Sequence, residues 1–545
     1  MKEIEQTTTT TKELATQHTK ASLFTYFGDS LFRLKYFRRA LRAFDQALSF
    51  NETGSRRASK RCKSNASINS ACDISKINAN SINSNENELK HRIHLCHLEL
   101  HEVQEAKAIL ERIPQVERSL KIIAALADLY LQERNCIRAK DLYLNILKQD
   151  PLRLDIVIKI CKIGDCDASS LLNIIPEDVK KVNSWYPSWI QAQCFLHSPN
   201  SKQAIRLFET LTSRFERRAP ILTSLAEAYY HDGNFKEAIR IFQIAYNSDP
   251  LTLAGVGSYA ACLHKELSKQ TLEDLAVTMS LKCNVEGEYF HEPWLVLAHY
   301  YASNDKKEPK ALLFVQKAYK LNRYSIEALI LLACLYLEKK DATKAIAYIM
   351  TASTHAPYRY EVQRILCDAY LANGNKATAL NYARAGIKTL GETARSYFLW
   401  ADVMIKSTEQ RRKNTAKEKL EKAIKLDPTY LPAVLALADL LMEEKKFDKA
   451  IEILNNARPN DSVNAELHKY LYTCYSEKKD NDKALYHQLI ASDRNTTNKE
   501  YAELTHRNAQ EHAVSQDDVD PMLGLEADEL VDHGDSEAEE ANLDS

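Results

Sequence analysis

Residues 219–250 read APILTSLAEAYYHDGNFKEAIRIFQIAYNSDP. Ala226 and Tyr229 share one face of a first predicted helix, and Ala238, Phe242 and Ala245 share one face of a second. The alanines mark where two helices come closest, because a larger side chain there would push the backbones apart. Pro250 closes the unit, since proline cannot continue a helix. The pattern extends in both directions. Alanine recurs at 106, 139, 204, 238, 311, 345, 379, 416, 450 and 484, a period close to 34 residues. Two wider gaps, 139 to 204 and 238 to 311, each leave room for one degenerate copy. Phe24, Gly28, Ala40, Phe44 and Ala47 give an earlier unit at the same spacing.

A fixed period near 34 built from paired helices is the signature of the tetratricopeptide repeat, whose units stack into a solenoid. The fold class expected is all-α, a superhelical solenoid of about 13 helix-turn-helix repeats. Composition agrees. Twelve glycines in 545 residues leave little room for turn-rich β architecture. The 45% apolar and 27% charged content suits helices with one buried and one wet stripe. The divisions read from the sequence are a polar segment at 1–20, a first repeat at 21–50, an insertion at 51–88, repeat arrays at 89–250 and 251–492, and a tail at 493–545.

Two stretches break the repeat. In 51–88, 16 of 38 residues are Ser or Asn and none is aromatic, so the segment is expected to be a disordered loop. Its front end holds Lys60, Arg61 and Lys63, a nuclear-import pattern or a solvated charge cluster, and Ser59 fits a basophilic kinase. After Arg507 there is no Lys or Arg, while 13 Asp and Glu follow. The net charge of −1 therefore hides an acidic tail on a basic body. Ser536 in that tail fits an acidophilic kinase. The body's basic residues are spread over helices and form no stripe, so nucleic acid is not an expected partner. The longest apolar run, Ala328 to Leu337, is too short to cross a bilayer. The polar N-terminus and scattered cysteines read as a reduced cytosolic or nuclear chain.

No pattern carries catalysis, a cofactor, a small-molecule substrate or a metal. Gly255-Val256-Gly257-Ser258-Tyr259-Ala260 matches a dinucleotide fingerprint, but no predicted strand precedes it. His91, His94, His97, His101 and Cys96 crowd one predicted helix without completing a ligand set. Nor do Thr25 and Asp29 supply the Lys and Asn that repeat proteins use to grip a terminal carboxylate.

The order of the pieces is familiar beyond the repeat itself. Asp29-Ser30-Leu31-Phe32 with Tyr36 and Ala40 precedes a Ser-rich insertion. Then come Ala108-Ile109-Leu110 ending at Ile113-Pro114, His291-Glu292-Pro293-Trp294, Lys388-Thr389-Leu390-Gly391 and the acidic tail. From about Ser22 onward the chain resembles the subunit 7 family of the anaphase-promoting complex, a multi-subunit ubiquitin ligase. It departs from that family in a longer turn before Ala416 and in the Asn content of the insertion. The resemblance implies a non-catalytic scaffold in nucleus and cytoplasm that packs on other repeat subunits and pairs as a homodimer through its N-terminal repeats. Dimer contacts are then expected at Phe24, Phe32, Tyr36 and Phe37, and Phe32 and Phe37 also lie off the packing positions of their repeat. The partner groove is expected at Arg364, Asp368, Asp439 and Met442. The alternative reading is a repeat adaptor of another large assembly, in transport or linked to chaperones.

Overall fold

The computed structural model describes residues 19–491 apart from 63–70, 134, 165–166, 217, 287–289, 304–307, 408–409, 458–464, 481 and 489–490. The described elements are helices, with no strand among the described residues. They form two compact units, one ending at Ser184 and one beginning at Trp185. This boundary lies well before residue 250, because the helices Phe235–Ser248 and Val256–Lys265 pack on one another and carry the stack straight across that point. The break falls instead after a run of short helices, Leu154–Ile163, Ala168–Ile174 and Glu177–Val182.

Each recurring alanine sits where the period places it. Ala106, Ala139, Ala204, Ala238, Ala311, Ala345, Ala379 and Ala450 are each the fourth residue of a second helix, and each is fully buried. The two degenerate copies are real helix pairs. Their second helices, Ala168–Ile174 and Lys269–Glu286, place Leu171 and Leu272 at that same fourth position, each 1% exposed. Alanine's place is taken by leucine, which is buried as fully as the alanines are.

The turn within a pair is also repeated. Gly233 adopts φ +87°, and the N–H of Asn234 bonds the carbonyl of Tyr229 at 3.0 Å. Lys340 and Lys445 take positive φ at the same place, with Asp341 and Lys446 bonding back to Tyr336 and Leu441 at 2.9 Å. The next helix is then capped where the residue allows it, since the side chains of Asn234 and Asp341 accept the N–H of Glu237 and Lys344. Between layers, tyrosines bind the preceding pair. The hydroxyl of Tyr229 donates to Glu209 at 2.5 Å and that of Tyr130 to Glu111 at 2.6 Å.

In the first unit the helix over 19–33 lies against Phe37–Cys62, and Gly28 permits it: a Cβ there would stand 2.5 Å from the ring of Phe44. Helix also continues into both ends of the insertion, through Cys62 and again from Ala71. Composition alone predicts a loop there, but extending an existing packed helix costs far less than starting one. Ser59, Lys60 and Arg61 fall in the last turn of Phe37–Cys62. Their side chains, like Lys63, Ser536 and the acidic tail, lie outside the described residues.

Candidate functional site

In the second unit the first helices of successive pairs carry an unusual set of buried charges. Tyr230 ends one such helix, Ala219–Asp232; Glu327 begins Ile326–Glu338; Arg359 and Glu361 stand at the start of Tyr360–Ala372. Arg359, 5% exposed, donates to Glu327 at 2.5 Å, and the hydroxyl of Tyr230 donates to the other Glu327 oxygen at 3.1 Å. The guanidinium also lies 5.0 Å over the Tyr230 ring. Glu361, equally buried, receives the ammonium of Lys265 at 3.6 Å and the guanidinium of Arg395 at 3.4 Å. Arg395 reaches back to the carbonyl of His231 at 2.8 Å, which fastens residues 164 positions apart. Glycine at 233 leaves room for this reach, since a Cβ there would stand 2.7 Å from the Arg395 guanidinium and displace it.

Burial opposes the charge on Glu361, but Lys265, Arg395 and Arg359 outweigh it and hold its carboxyl well below the usual carboxylate range. Burial opposes the charge on Arg359 as well; Glu327 outweighs it there. His231 is pulled down to about 3 by burial and by Arg359, so its ring is neutral. The network is a set of paired ions that ties early repeats of the unit to late ones.

Beside this network opens a chamber of about 1110 Å³. Helix starts at 201, 235, 360 and 394 and the turn before 431 meet there. Its aromatic wall is Tyr360, Phe398 and Tyr430. Its carboxylates are engaged: Asp232 accepts from Ser201 at 2.8 Å, Asp427 holds Thr429, and Glu392 lies 3.8 Å from Lys422. Lys202 and Arg364 are exposed and pair with no carboxylate among the described residues. One oxygen of Glu361 likewise has no hydrogen-bond partner among them.

The structure brings only part of the predicted groove together. Arg364 lines the chamber. Asp368 instead holds Lys406 at 3.2 Å, Asp439 accepts from Tyr470 at 3.0 Å, and Met442 takes a contact from Thr473 at 3.7 Å. Asp368 shares the helix of Arg364, Asp439 and Met442 sit on the first helix Leu431–Glu443, and all three bind one layer to the next. Of the chamber's members, Arg395 and Glu361 have no sequence signal: their partners lie 34 to 164 residues away.

The first unit offers a different surface. Leu23, Tyr26, Phe27, Leu34 and Tyr36 are 54–70% exposed; the first three lie at helical spacing along the helix over 19–33, and Leu34 continues the stripe in the turn after it. Phe24, Phe32 and Phe37 lie behind this stripe and are half-buried. Phe24 stacks on Phe50 at 5.6 Å, and Phe32 meets Phe37 edge-on at 5.3 Å. Of the four predicted contact residues, Tyr36 alone belongs to the exposed stripe.

The two patterns set aside in the sequence have structural roles. Gly257 donates its N–H to Glu292 at 2.9 Å, where two helices approach too closely for a side chain. His94 hydrogen-bonds the carbonyl of Ala106 and His97 the carboxylate of Glu102, while His101 lies past the helix end at φ +61°. No cluster able to hold a metal occurs among the described residues. Asp29 pairs with Arg92 at 2.5 Å.

Models of the tetratricopeptide repeat match residues 198–251, 326–357 and 408–473. Curated relatives are similar along most of the chain. Human anaphase-promoting complex subunit 7 is 29% identical over 96% of this chain and 92% of its own length. The subunit of the same name from Arabidopsis thaliana is 27% identical over 80% and 77%. The one from Dictyostelium discoideum is 24% identical over 81% and 76%. Among solved structures, a chain of the APC/C hetero-tetramer Cut9–Hcn1 superposes with a TM-score of 0.53, covering 87% of this chain and 93% of that one at 15% identity. That likeness concerns the fold.

Proposed function

We propose that this tetratricopeptide-repeat chain, related along nearly its whole length to subunit 7 of the anaphase-promoting complex, serves as a non-catalytic scaffold subunit of that ubiquitin ligase. The observation that carries the reading is the extent of the relationship, 96% of the chain to the human subunit. Shared repeat architecture alone would align scattered units, not the insertion and the whole array in order. Its partners are the other repeat subunits of the ligase. The test is a tagged chain purified from dividing cells, with the retained proteins identified by mass spectrometry. Recovery of other ligase subunits supports the reading; recovery of transport or chaperone components in their place replaces it with the adaptor alternative.

Within that role the first unit pairs two copies of the chain. Support comes from the exposed stripe Leu23, Tyr26, Phe27 and Leu34, an apolar face of the kind that monomeric proteins rarely leave open. Phe24, Phe32 and Phe37 brace it from behind. Nuclear entry through Lys60, Arg61 and Lys63 accounts for a subunit shared between nucleus and cytoplasm. Changing the three to Ala should leave a fluorescent fusion cytoplasmic, and undiminished nuclear signal rules the import role out.

A further inference from the structure

The second unit closes on itself at one place. Its early wall is the helices Tyr186–Leu196, Ser201–Arg214 and Ala219–Asp232; its late wall is Tyr360–Ala372, Lys376–Leu390 and Ala394–Lys406. Within each wall successive helices pack along one another, and among the described residues no helix of one wall packs along a helix of the other. The seam between them is made of side chains at helix ends. His197 and Tyr358 share a hydrogen bond at 2.9 Å, and the Tyr358 ring stands edge-on between the rings of His197 and His231, 6.0 and 6.1 Å from them. Arg395 donates to the His231 carbonyl, and Arg359 lies over the Tyr230 ring. At the rim Gly391 comes so near that a Cβ on it would stand 3.6 Å from Pro199.

The chemistry of this seam differs from that of the walls. Apolar layers lose their burial when they separate, and water offers nothing in return. Polar contacts are exchanged for contacts with water, so each contributes little net. Closure also leaves groups unmet. Nε and Nη2 of Arg359 and Oε2 of Glu361 are shut off from solvent with no hydrogen-bond partner among the described residues, and a buried polar group without a partner is unfavourable.

We propose that the seam is a clasp: the two walls part and rejoin as folded pieces, and the chamber they line widens when they part. Lifting Tyr230 from Arg359 lets water reach the unmet donors. That gain offsets the contacts given up and keeps an open form populated beside the closed one. Lys202 belongs to the early wall and Arg364 to the late one, and both line the chamber. The clasp therefore sets the distance between these two cations, and with it what a bound molecule can touch at once. No repeat has to unfold for the chamber to change width.

The test is single-molecule energy transfer in the full chain, with a donor dye at Arg206 on the early wall and an acceptor at Lys388 on the late one, both exposed. The dyes are attached through genetically encoded reactive residues, which spares the native cysteines. Labelled chain is diluted in unlabelled chain, so only distances within one copy are read. The unaltered chain should show a main high-transfer state and a minor low-transfer one. Tyr358→Phe removes only the hydroxyl and should raise the minor state about 5-fold. Arg395→Lys keeps a cation on Glu361 but cannot also reach His231, and should raise it about 10-fold. Lys406→Ala cuts a tie within the late wall, that to Asp368, and should leave both states as they are. Far-UV circular dichroism is recorded for every variant, and Tyr358→Phe decides the matter if Arg395→Lys loses helix. A single transfer state unmoved by the seam variants overturns the inference. So does a low-transfer state that appears only with loss of helix, because the walls then unfold and do not part.

Discussion

The two units are made from the same repeat and spend their side chains differently. In the second, the first helices of four pairs bring ionic groups inward, and Arg359, Glu327, Glu361, Lys265 and Arg395 pair with one another across repeats far apart in the chain. In the first, one helix and the turn after it leave Leu23, Tyr26, Phe27 and Leu34 in solvent. A repeat fixes only the residues that hold its two helices together and its layers in register. The remaining positions are free, and one unit has used them for internal ties where the other has left an adhesive face.

The sharpest way to break this contrast is to cut one internal tie. Arg359→Met leaves the Glu327 carboxylate and the Tyr230 hydroxyl buried without their cation. It should destabilise the second unit by about 3–5 kcal/mol in urea denaturation while leaving the first unit's transition in place. Replacing Arg359 and Glu327 together should recover most of that loss. Next comes the leucine that stands in for alanine in each unit. Leu272→Ala and Leu171→Ala should each cost about 2–4 kcal/mol, because each side chain is 1% exposed and its removal leaves a cavity the neighbours fill only in part. Equal losses in the two units would show that repeat packing, unlike surface chemistry, is common to both.

Acid gives a gentler comparison. Burial lowers His94, to about 4, despite the hydrogen bond to the Ala106 carbonyl, and lowers His299 well below its ordinary value, with His264 and Lys265 adding to the effect. Both are neutral in the fold, and the unfolded chain takes up their protons near pH 6.5. Stability therefore falls as pH drops below about 6.5, by up to about 1.4 kcal/mol per pH unit for each histidine. For His94 the decline ends near pH 4; for His299 it continues lower. Glu361 behaves oppositely in range. Its contribution persists above the ordinary carboxylate pKa and disappears only as pH falls through its much lower folded value. Denaturation midpoints from pH 7.5 to 4.5, with His299→Gln flattening the second unit's curve and His94→Gln the first's, check the assignment. The smallest effect on stability is expected at the adhesive face: Tyr26→Glu with Phe27→Glu should change it by within about 0.5 kcal/mol per site.

The regular part of the fold was legible because it obeys a local rule. Ala238, Phe242 and Tyr229 sit within one helix pair, and steric demand there dictates residue type. The copies around Leu171 and Leu272 were legible only as gaps of the right length, since leucine at the alanine position hides them. The chamber was hardly legible. Arg364 was expected as a groove residue, but Arg395 meets His231, and Arg359 meets Glu327, only after the repeats stack, and no spacing in the chain encodes that meeting. Tyr230 was hidden beside Tyr229, which carries the repeat's pattern while its neighbour faces the ionic network. At the N-terminus the contact of Phe32 with Phe37 was not legible either, since it forms only when the turn between their helices closes.

The most direct test of the account joins both surfaces in one measurement. Two differently tagged copies of the chain are expressed together in dividing cells, and one tag is used for purification. The unaltered chain should retain the second copy and other subunits of the ligase, and Tyr26→Glu with Phe27→Glu should lose the second copy. Retention of the second copy by that variant would contradict the division of labour between the units, and an unaltered chain that retains no ligase subunit would contradict the scaffold role itself.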